Sequence, residues 1–453
     1  MTSGAEVVDV GKIFLTQTSD ELCRLDVLGL EDSPTGDQET VYAEFREQLK
    51  RSNEGWYETG LPWKGNHPPL PSNEKGSLRR LNTLVHKLEK SNLLNSYDAI
   101  IRDQLAQGVV ERVMEPVAGV KFNLPHKAVV RESAATTKLR IVYDASAREH
   151  QQAPSLNECL EMGPPLQNHI WKVLVRGRFH PVAVTGDLKQ AFLQVRIRKE
   201  DRDVLRFHWF ANLQSKTIET MRFTRALFAL APSPFLLGGV IQQHLEKGRS
   251  EHPEAVTEIE RSMYVDDLVT GGSTVQEANE VKKSAIEIFE KAKFELHKWG
   301  SNVRELEQTA EEVNEEWRSY AKQKLGTVSG ESSLLGLVWN KREDTIGISL
   351  PSKTADPTRR GILQKVARAY DPLGIASPVT LSGKVLYRDA CDEKRGWDAK
   401  LSNELTKRWK RWEDDLPNQV AVPRSIPKHQ EKISEIVLHA FGNASGKGVA
   451  AVV

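Results

Sequence analysis

Met263-Tyr264-Val265-Asp266-Asp267-Leu268-Val269, closed by Gly271-Gly272, is the stretch from which the fold is read. Two adjacent carboxylates sit between two short apolar runs, which is the pattern of a β-hairpin with acids at its tip. Like charges about 4 Å apart repel by roughly 4 kcal/mol at an effective dielectric of 20, so the pair calls for a reason. A divalent cation supplies one, because carboxylate oxygens are the hard ligands that Mg2+ takes. The alternative is an exposed turn with two solvated acids.

A second acid shifts the balance. Pro181-Val182-Ala183-Val184-Thr185-Gly186 reads as a β-branched strand ending at Asp187, and Leu188 to Ile197 continues in a mostly apolar register. A strand ending in one acid beside a hairpin ending in two would gather three carboxylates at one sheet edge. Such a cluster can hold two metal ions, the arrangement that stabilises attacking and leaving oxygens in phosphoryl transfer. Asp187 alone would be a turn acid at a strand end.

With these residues the sequence resembles reverse transcriptases, and closely those of the Pao/BEL family of long-terminal-repeat retrotransposons. The resemblance rests on ordered blocks: Leu61 to Lys64, Lys138 to Ser146, Asp187 to Leu193, Ser233 to Leu237, Tyr264 to Asp267, and Asp371-Pro372-Leu373-Gly374. It implies an α+β, right-hand polymerase with fingers, palm and thumb and an antiparallel palm sheet. A connection region and the truncated start of a ribonuclease H-like domain would follow. Expected boundaries are 1–75 for an N-terminal linker region downstream of an absent protease, 76–345 for fingers and palm, 346–430 for thumb and connection, and 431–453 for the ribonuclease H-like start.

The implied activity is RNA-directed DNA synthesis on a primed RNA or DNA template from deoxynucleoside triphosphates, with two Mg2+ ions, or Mn2+ as substitute. Asp187 and Asp266 would be the shared metal ligands. Asp267, on the opposite side of a strand from its neighbour, would contribute less directly. Lys138 and Arg140 match the pair that grips the triphosphate, a point charge and a planar fork, though an exposed strand face shows the same alternation. Phe192 resembles the steric gate against a 2′-hydroxyl; the plain alternative is a core phenylalanine, with Gln194 and Arg196 on its face lining the groove instead. Lys298 resembles the lysine near the leaving pyrophosphate. Ser233, Pro234, Tyr264, Leu335 and Gly336 would support template and primer, with Gly336 letting backbone approach backbone.

Two positions depart from the family pattern: Ala229 stands where a glycine is usual, and Asn443 where an aspartate is. An amide is a poor Mg2+ ligand, so ribonuclease H activity is not expected. The competing reading is an inactive retroelement remnant that only binds nucleic acid.

The remaining features bound the answer. A chain of 453 residues with 39% hydrophobic and 28% charged residues is that of a globular protein of about three domains. Net charge is +1, but Arg359 to Arg411 carries thirteen Lys/Arg against six Asp/Glu. With Tyr370, Tyr387, Trp397 and Trp409 interleaved, that stretch reads either as a phosphate-tracking surface or as a solvated helical face. Cys23, Cys159 and Cys391 are scattered, odd in number and without CxxC spacing, so no disulfide framework or zinc site follows from them. No apolar run approaches the roughly 18 residues of a membrane span. A soluble intracellular protein is expected, in cytoplasmic particles or the nucleus, with other polyprotein parts such as protease and integrase as partners and no membrane.

Helices are predicted over 78–107 in two pieces stopping at Gly108, over Phe235 to Leu245, and after a capping box at Thr274-Val275-Gln276-Glu277. Strands are predicted within Val109 to Val142, at Phe294 to Trp299, around Leu334 to Trp339, and at Leu438 to Ser445. A further strand is predicted at Lys12 to Leu15.

Overall fold

The computed structural model describes residues 38–114, 119–133, 136–307, 331–352, 354–427, 441–445 and 448–452, with single positions at 435, 437 and 439. The strand expected at Lys12 to Leu15 lies outside the described residues, as do the side chains of Lys138 and Asn443.

At the centre is a four-stranded antiparallel sheet in the order Met263–Tyr264, Asp267–Gly272, Val182–Leu188, Leu296–Ser301. The strand Val182–Leu188 is inner on both sides and buried on both faces, as its β-branched run requires. Alternation assigns its side chains to two cores. Val182, Val184 and Leu188 join the larger one with Leu268, whereas Ala183 joins Val269, Leu334, Leu337, Trp339 and Ile346 in a second. The sheet is thus held between two apolar layers.

Helix Val275–Glu290 covers the sheet on the larger core, burying Ala278, Ala285, Ile288 and Phe289. Half of the predicted box forms: Thr274 accepts from the Glu277 amide at 3.2 Å, while the Glu277 carboxylate accepts from Ser273 N, one residue before the cap, at 2.9 Å. Helices Ile170–Gly177 and Pro253–Ser262 pack on the strand Asp267–Gly272. Helix Ser233–Gly248 carries Pro234 in its first turn, where a missing amide costs nothing.

Toward the N-terminus, helices Glu74–Lys90 and Leu94–Ala106 occur as predicted, the second ending before Gly108 at φ 67°. They support a hairpin of His126–Ser133 paired with Thr136–Tyr143. A separate antiparallel sheet combines Val110–Arg112, Thr217–Phe223 and Arg206–Asn212.

The second core is roofed by another antiparallel sheet, ordered Glu331–Leu334, Leu337–Asn340, Thr345–Ser349, Gln419–Pro423. Between its third and fourth strands run helices Arg359–Ala367, Ser377–Asp392 and Asn403–Asp414, built around Ile362, Leu386, Leu405 and the fully buried Trp409. Phe441–Ser445 and Gly448–Val452 form a terminal hairpin.

One expected element is corrected. Leu188 to Ile197 does not continue as a strand: Gln190 turns left-handed at φ 50°, and Ala191–Gln194 closes a 3-10 turn before the short strand Arg196–Ile197. The period-2 face shared by Phe192, Gln194 and Arg196 therefore does not exist. Gln194 donates to the Lys189 carbonyl at 3.2 Å, and the Arg196 guanidinium lies 4.6 Å from the Trp56 ring centre.

Candidate active site

The register of the central sheet decides the site. Tyr264 faces Asp267, Asp267 faces Asp187, and Asp187 faces His297. Directly opposed residues of antiparallel strands share a face, so these four form one row across the sheet. Asp266 lies in the two-residue turn, and its carbonyl accepts from Leu188 N at 2.8 Å, which ties the turn to the neighbouring strand. The lone strand acid and the acid pair thus meet at one sheet end. Asp267 is the acid placed opposite Asp187; Asp266 approaches from the turn.

The turn is strained. Val265 has φ 57° while Asp266 does not have positive φ, the sign pattern of a II′ turn that normally takes glycine first. A β-branched residue there is a true outlier. Val265 is held by packing on the larger core.

Asp187 is 22% exposed and accepts at one oxygen from His297 Nε2, 3.0 Å away, and from Lys298 Nζ. Burial pushes its carboxyl up, but the bonds from His297 and Lys298 outweigh it and hold the pKa below the ordinary aspartate value. Lys298 reaches Asp187 through a β-bulge: the pairing slips between His297 and Gly300, and Lys298 takes φ 54°. A bulge re-aims a side chain that regular alternation would send to the other face.

Among the described residues no three His, Cys, Asp or Glu side chains are gathered closely enough to hold a metal ion. Carboxylate oxygens are nevertheless the donors that a hard cation takes, and the Lys298 ammonium is ion-paired with Asp187.

Phe192 is half-buried beside the strand end, its ring meeting Phe228 edge-on at 5.5 Å and 80°. Phe228 is 86% exposed, a functional candidate that sequence reasoning passed over; a large apolar side chain in a loop was the available signal. Its loop is held by Asn157, which donates to the Ala229 carbonyl at 3.0 Å and accepts from Ala231 N at 2.9 Å. Ala229 does not have positive φ, so its methyl group meets no backbone objection.

Ser233 is 1% exposed and commits its hydroxyl to the Leu227 carbonyl, so it shapes this loop from inside and offers no hydroxyl to a ligand. Pro234 instead lines a groove of about 480 Å3 with Leu166, Gln167, Asn168, Gly238 and Val265. Leu335 and Gly336 form the turn between Glu331–Leu334 and Leu337–Asn340, with φ 46° and 91°. Two positive φ values are the mark of a I′ turn. Leu335 and Tyr264 pack on the same core. Arg140, on the hairpin's second strand, is exposed.

Part of the basic stretch is paired within the chain. Arg360 pairs with Asp398, Arg408 with Asp389, and the buried Lys365 with Glu413. Arg359 lies 4.7 Å from the Trp397 ring centre. No helix among the described residues is long and apolar enough to cross a membrane.

Residues 358–453 match the family model described as the Pao retrotransposon-like RNaseH-like domain. The match begins within the segment read from sequence as thumb and connection. No curated protein matches the chain. Among solved structures, the foamy viral protease-reverse transcriptase dRH in complex with ds DNA is 15% identical at a TM-score of 0.45, covering 85% of this chain and 61% of that one. The foamy viral protease-reverse transcriptase in complex with RNA/DNA hybrid gives 15% and 0.45, covering 85% and 47%. With dsDNA the figures are 14% and 0.44, covering 84% and 69%. This chain therefore spans about three fifths of the first of these proteins. Its C-terminal segment is similar to a retrotransposon domain, and the chain as a whole is a mixed α+β protein.

Proposed function

We propose that the chain is the RNA-directed DNA polymerase of a retrotransposon, adding deoxynucleotides to a primer 3′-hydroxyl. The observation that carries this reading is the row Tyr264, Asp267, Asp187, His297 with Asp266 at its turn. Acids gathered at one sheet end repel one another unless a cation offsets their charge, and a two-metal phosphoryl-transfer site uses such a cluster. The similarity of residues 358–453 to a retrotransposon domain supports the same reading.

In this reading Asp187, Asp266 and Asp267 are the residues that would hold two Mg2+ ions, whose charge would lower the pKa of an attacking hydroxyl and offset charge on the leaving oxygens. His297 keeps the Asp187 carboxylate oriented from the neighbouring strand. Lys298 leaves Asp187 and turns its ammonium to the departing pyrophosphate. Lys138 and Arg140 grip the triphosphate from the fingers hairpin. Phe192, braced by Phe228, lies under the sugar and excludes a 2′-hydroxyl. Pro234 and the groove beside Val265 take the template, with Ser233 fixing the loop. Tyr264 and the Leu335-Gly336 turn support the primer.

Primer extension on an RNA template with Mg2+, comparing the wild-type chain with Asp187→Asn and Asp266→Asn, tests the reading. Loss of about two or more orders of magnitude in each variant is expected. Equal incorporation by all three removes the polymerase assignment. Retention of a labelled duplex without incorporation by any of them would favour the inactive binding remnant.

A further inference from the structure

Tyr370 belongs to the C-terminal segment, yet its contacts lie at the primer side of the candidate site. Its hydroxyl donates to the Leu335 carbonyl at 3.0 Å, inside the I′ turn. Its ring covers the other turn residue so closely that a Cβ on Gly336 would sit 2.8 Å from Tyr370 Cε1. Burial, and then the nearby Tyr264 hydroxyl, push the Tyr370 phenol above its ordinary value. Tyr264, Leu335, Ala369, Leu373 and Ile375 all pack on the same core.

The loop that follows Tyr370 is over-determined. The Asp371 carboxylate accepts from Ile375 N at 2.9 Å and from Ala376 N at 2.7 Å. Gly374 N reaches the Asp371 carbonyl at 3.3 Å with Gly374 at φ 71°, and helix Ser377–Asp392 begins directly after. A loop bound this tightly to a helix start gives its tyrosine a fixed place. The turn it touches is the opposite: Leu335 has a side chain at a φ that favours glycine, so an outside contact must help to hold it.

We propose that Tyr370 is a positioning residue that clamps the Leu335-Gly336 turn against the acid-bearing hairpin, so that the segment similar to a retrotransposon RNaseH-like domain completes the primer-holding side of the polymerase site. The proposal rests on the polymerase reading above. It makes residues 369–376 part of that site.

The test uses the full chain with Tyr370→Phe, which keeps the ring and removes one hydrogen bond, and Tyr370→Ala, which removes both. Steady-state primer extension is read as KM for primer–template, KM for nucleotide and kcat, beside a thermal melt and amide exchange at 333–338. For Tyr370→Phe the clamp predicts a rise of about threefold to tenfold in KM for primer–template, the size of one lost hydrogen bond. Nucleotide KM, saturating kcat and melting temperature should stay near wild type, and the turn amides should exchange faster. Tyr370→Ala should exceed tenfold. An active wild type with Tyr370→Phe unchanged in primer–template KM and exchange overturns the clamp. So does a uniform fall of every parameter with the melting temperature, which marks a structural role alone. A wild type that extends no primer overturns the polymerase reading itself, and the clamp's role falls with it.

Discussion

Replacing Arg424 by Met should detach the second sheet from the strand that carries Asp187. Arg424 is 1% exposed and forks onto Asp344, with Nε and Nη2 at 2.6 and 2.7 Å from the two carboxylate oxygens. The remaining donors reach the carbonyls of Gly177, His180 and Pro181 at 2.8, 2.8 and 3.0 Å. Those carbonyls lead directly into Val182–Leu188, while Asp344 sits in the turn between Leu337–Asn340 and Thr345–Ser349. Methionine keeps most of the volume and removes every bond. It leaves a carboxylate and three carbonyls facing a thioether. Breaking a buried pair costs about 3–5 kcal/mol. Asp344 is 23% exposed and keeps Trp339 Nε1 and Asn302 Nδ2 as donors, so the lower end, about 3 kcal/mol, applies. At about 2–4 °C per kcal/mol this lowers the melting temperature by roughly 6–12 °C. With several cores the loss should be local, so the melt is paired with amide exchange. Faster exchange is expected at 177–184, 344–349 and 419–424, with helix Glu74–Lys90 unaffected. Arg424→Lys should recover little, because an ammonium cannot fork. A melt within 2 °C of wild type and unchanged exchange at 177–184 would refute the reasoning.

Phe192→Val should raise ribonucleotide incorporation by about tenfold to a hundredfold relative to deoxynucleotides, read in single-nucleotide extension; unchanged discrimination would remove the gate. Lys298→Met deletes the ammonium that competes for Asp187, so thermal stabilisation by Mg2+ should begin at about threefold to tenfold lower concentration than in wild type, while nucleotide KM rises. Glu258 is 15% exposed; burial pushes its carboxyl up, but His180, Arg176 and Ser262 outweigh burial and lower its pKa from 4.5 to about 2. A depressed folded pKa stabilises above the unfolded value and is lost as pH falls through the folded one. The contribution, about 3 kcal/mol, is therefore complete above roughly pH 5 and disappears toward pH 2, and Glu258→Gln should flatten melting temperature against pH across that window.

The acid pair was legible because adjacent like charges in an apolar hairpin demand a counter-charge, and Asp187 because it ends a β-branched run. That Asp267 faces Asp187 was not legible, since register between strands some 80 residues apart is set by their shared burial. Phe294 to Trp299 reads as a strand, but nothing in its composition marks the bulge that turns Lys298 onto Asp187. The apolar run Ala191 to Val195 suits a strand or a tight turn equally, and the larger core's demand for Ala191 and Val195 decided it. Gln419–Pro423 is short, exposed at alternate positions and ends in proline, so its place as an edge strand escapes a pattern search. Arg424 reads as one more basic loop residue, because the carbonyls that bury it come from positions 177–181.

Four of the ten non-glycine residues with positive φ among the described residues border the proposed chemistry; Asn73, Asn92, Lys216, Lys293, Asp344 and Lys394 lie elsewhere. Gln190, Val265, Lys298 and Leu335 all have positive φ, and each borders the acids or the primer-side turn: Gln190 after the Asp187 strand, Val265 beside Asp266, Lys298 in the bulge, Leu335 in the I′ turn. A left-handed residue with a side chain costs roughly 1–2 kcal/mol, and glycine at any of the four would remove that cost. At three of the four the side chain has a second task. Val265 packs on the larger core and lines the groove, Lys298 neutralises Asp187, and Leu335 anchors its turn in the second core under Tyr370. The direction of inference runs from the outliers to function. Side chains with a second task at Val265, Lys298 and Leu335, beside Asp187 and Asp267 opposed across strands and Asp266 in the turn, fit the geometry that the proposed reaction needs.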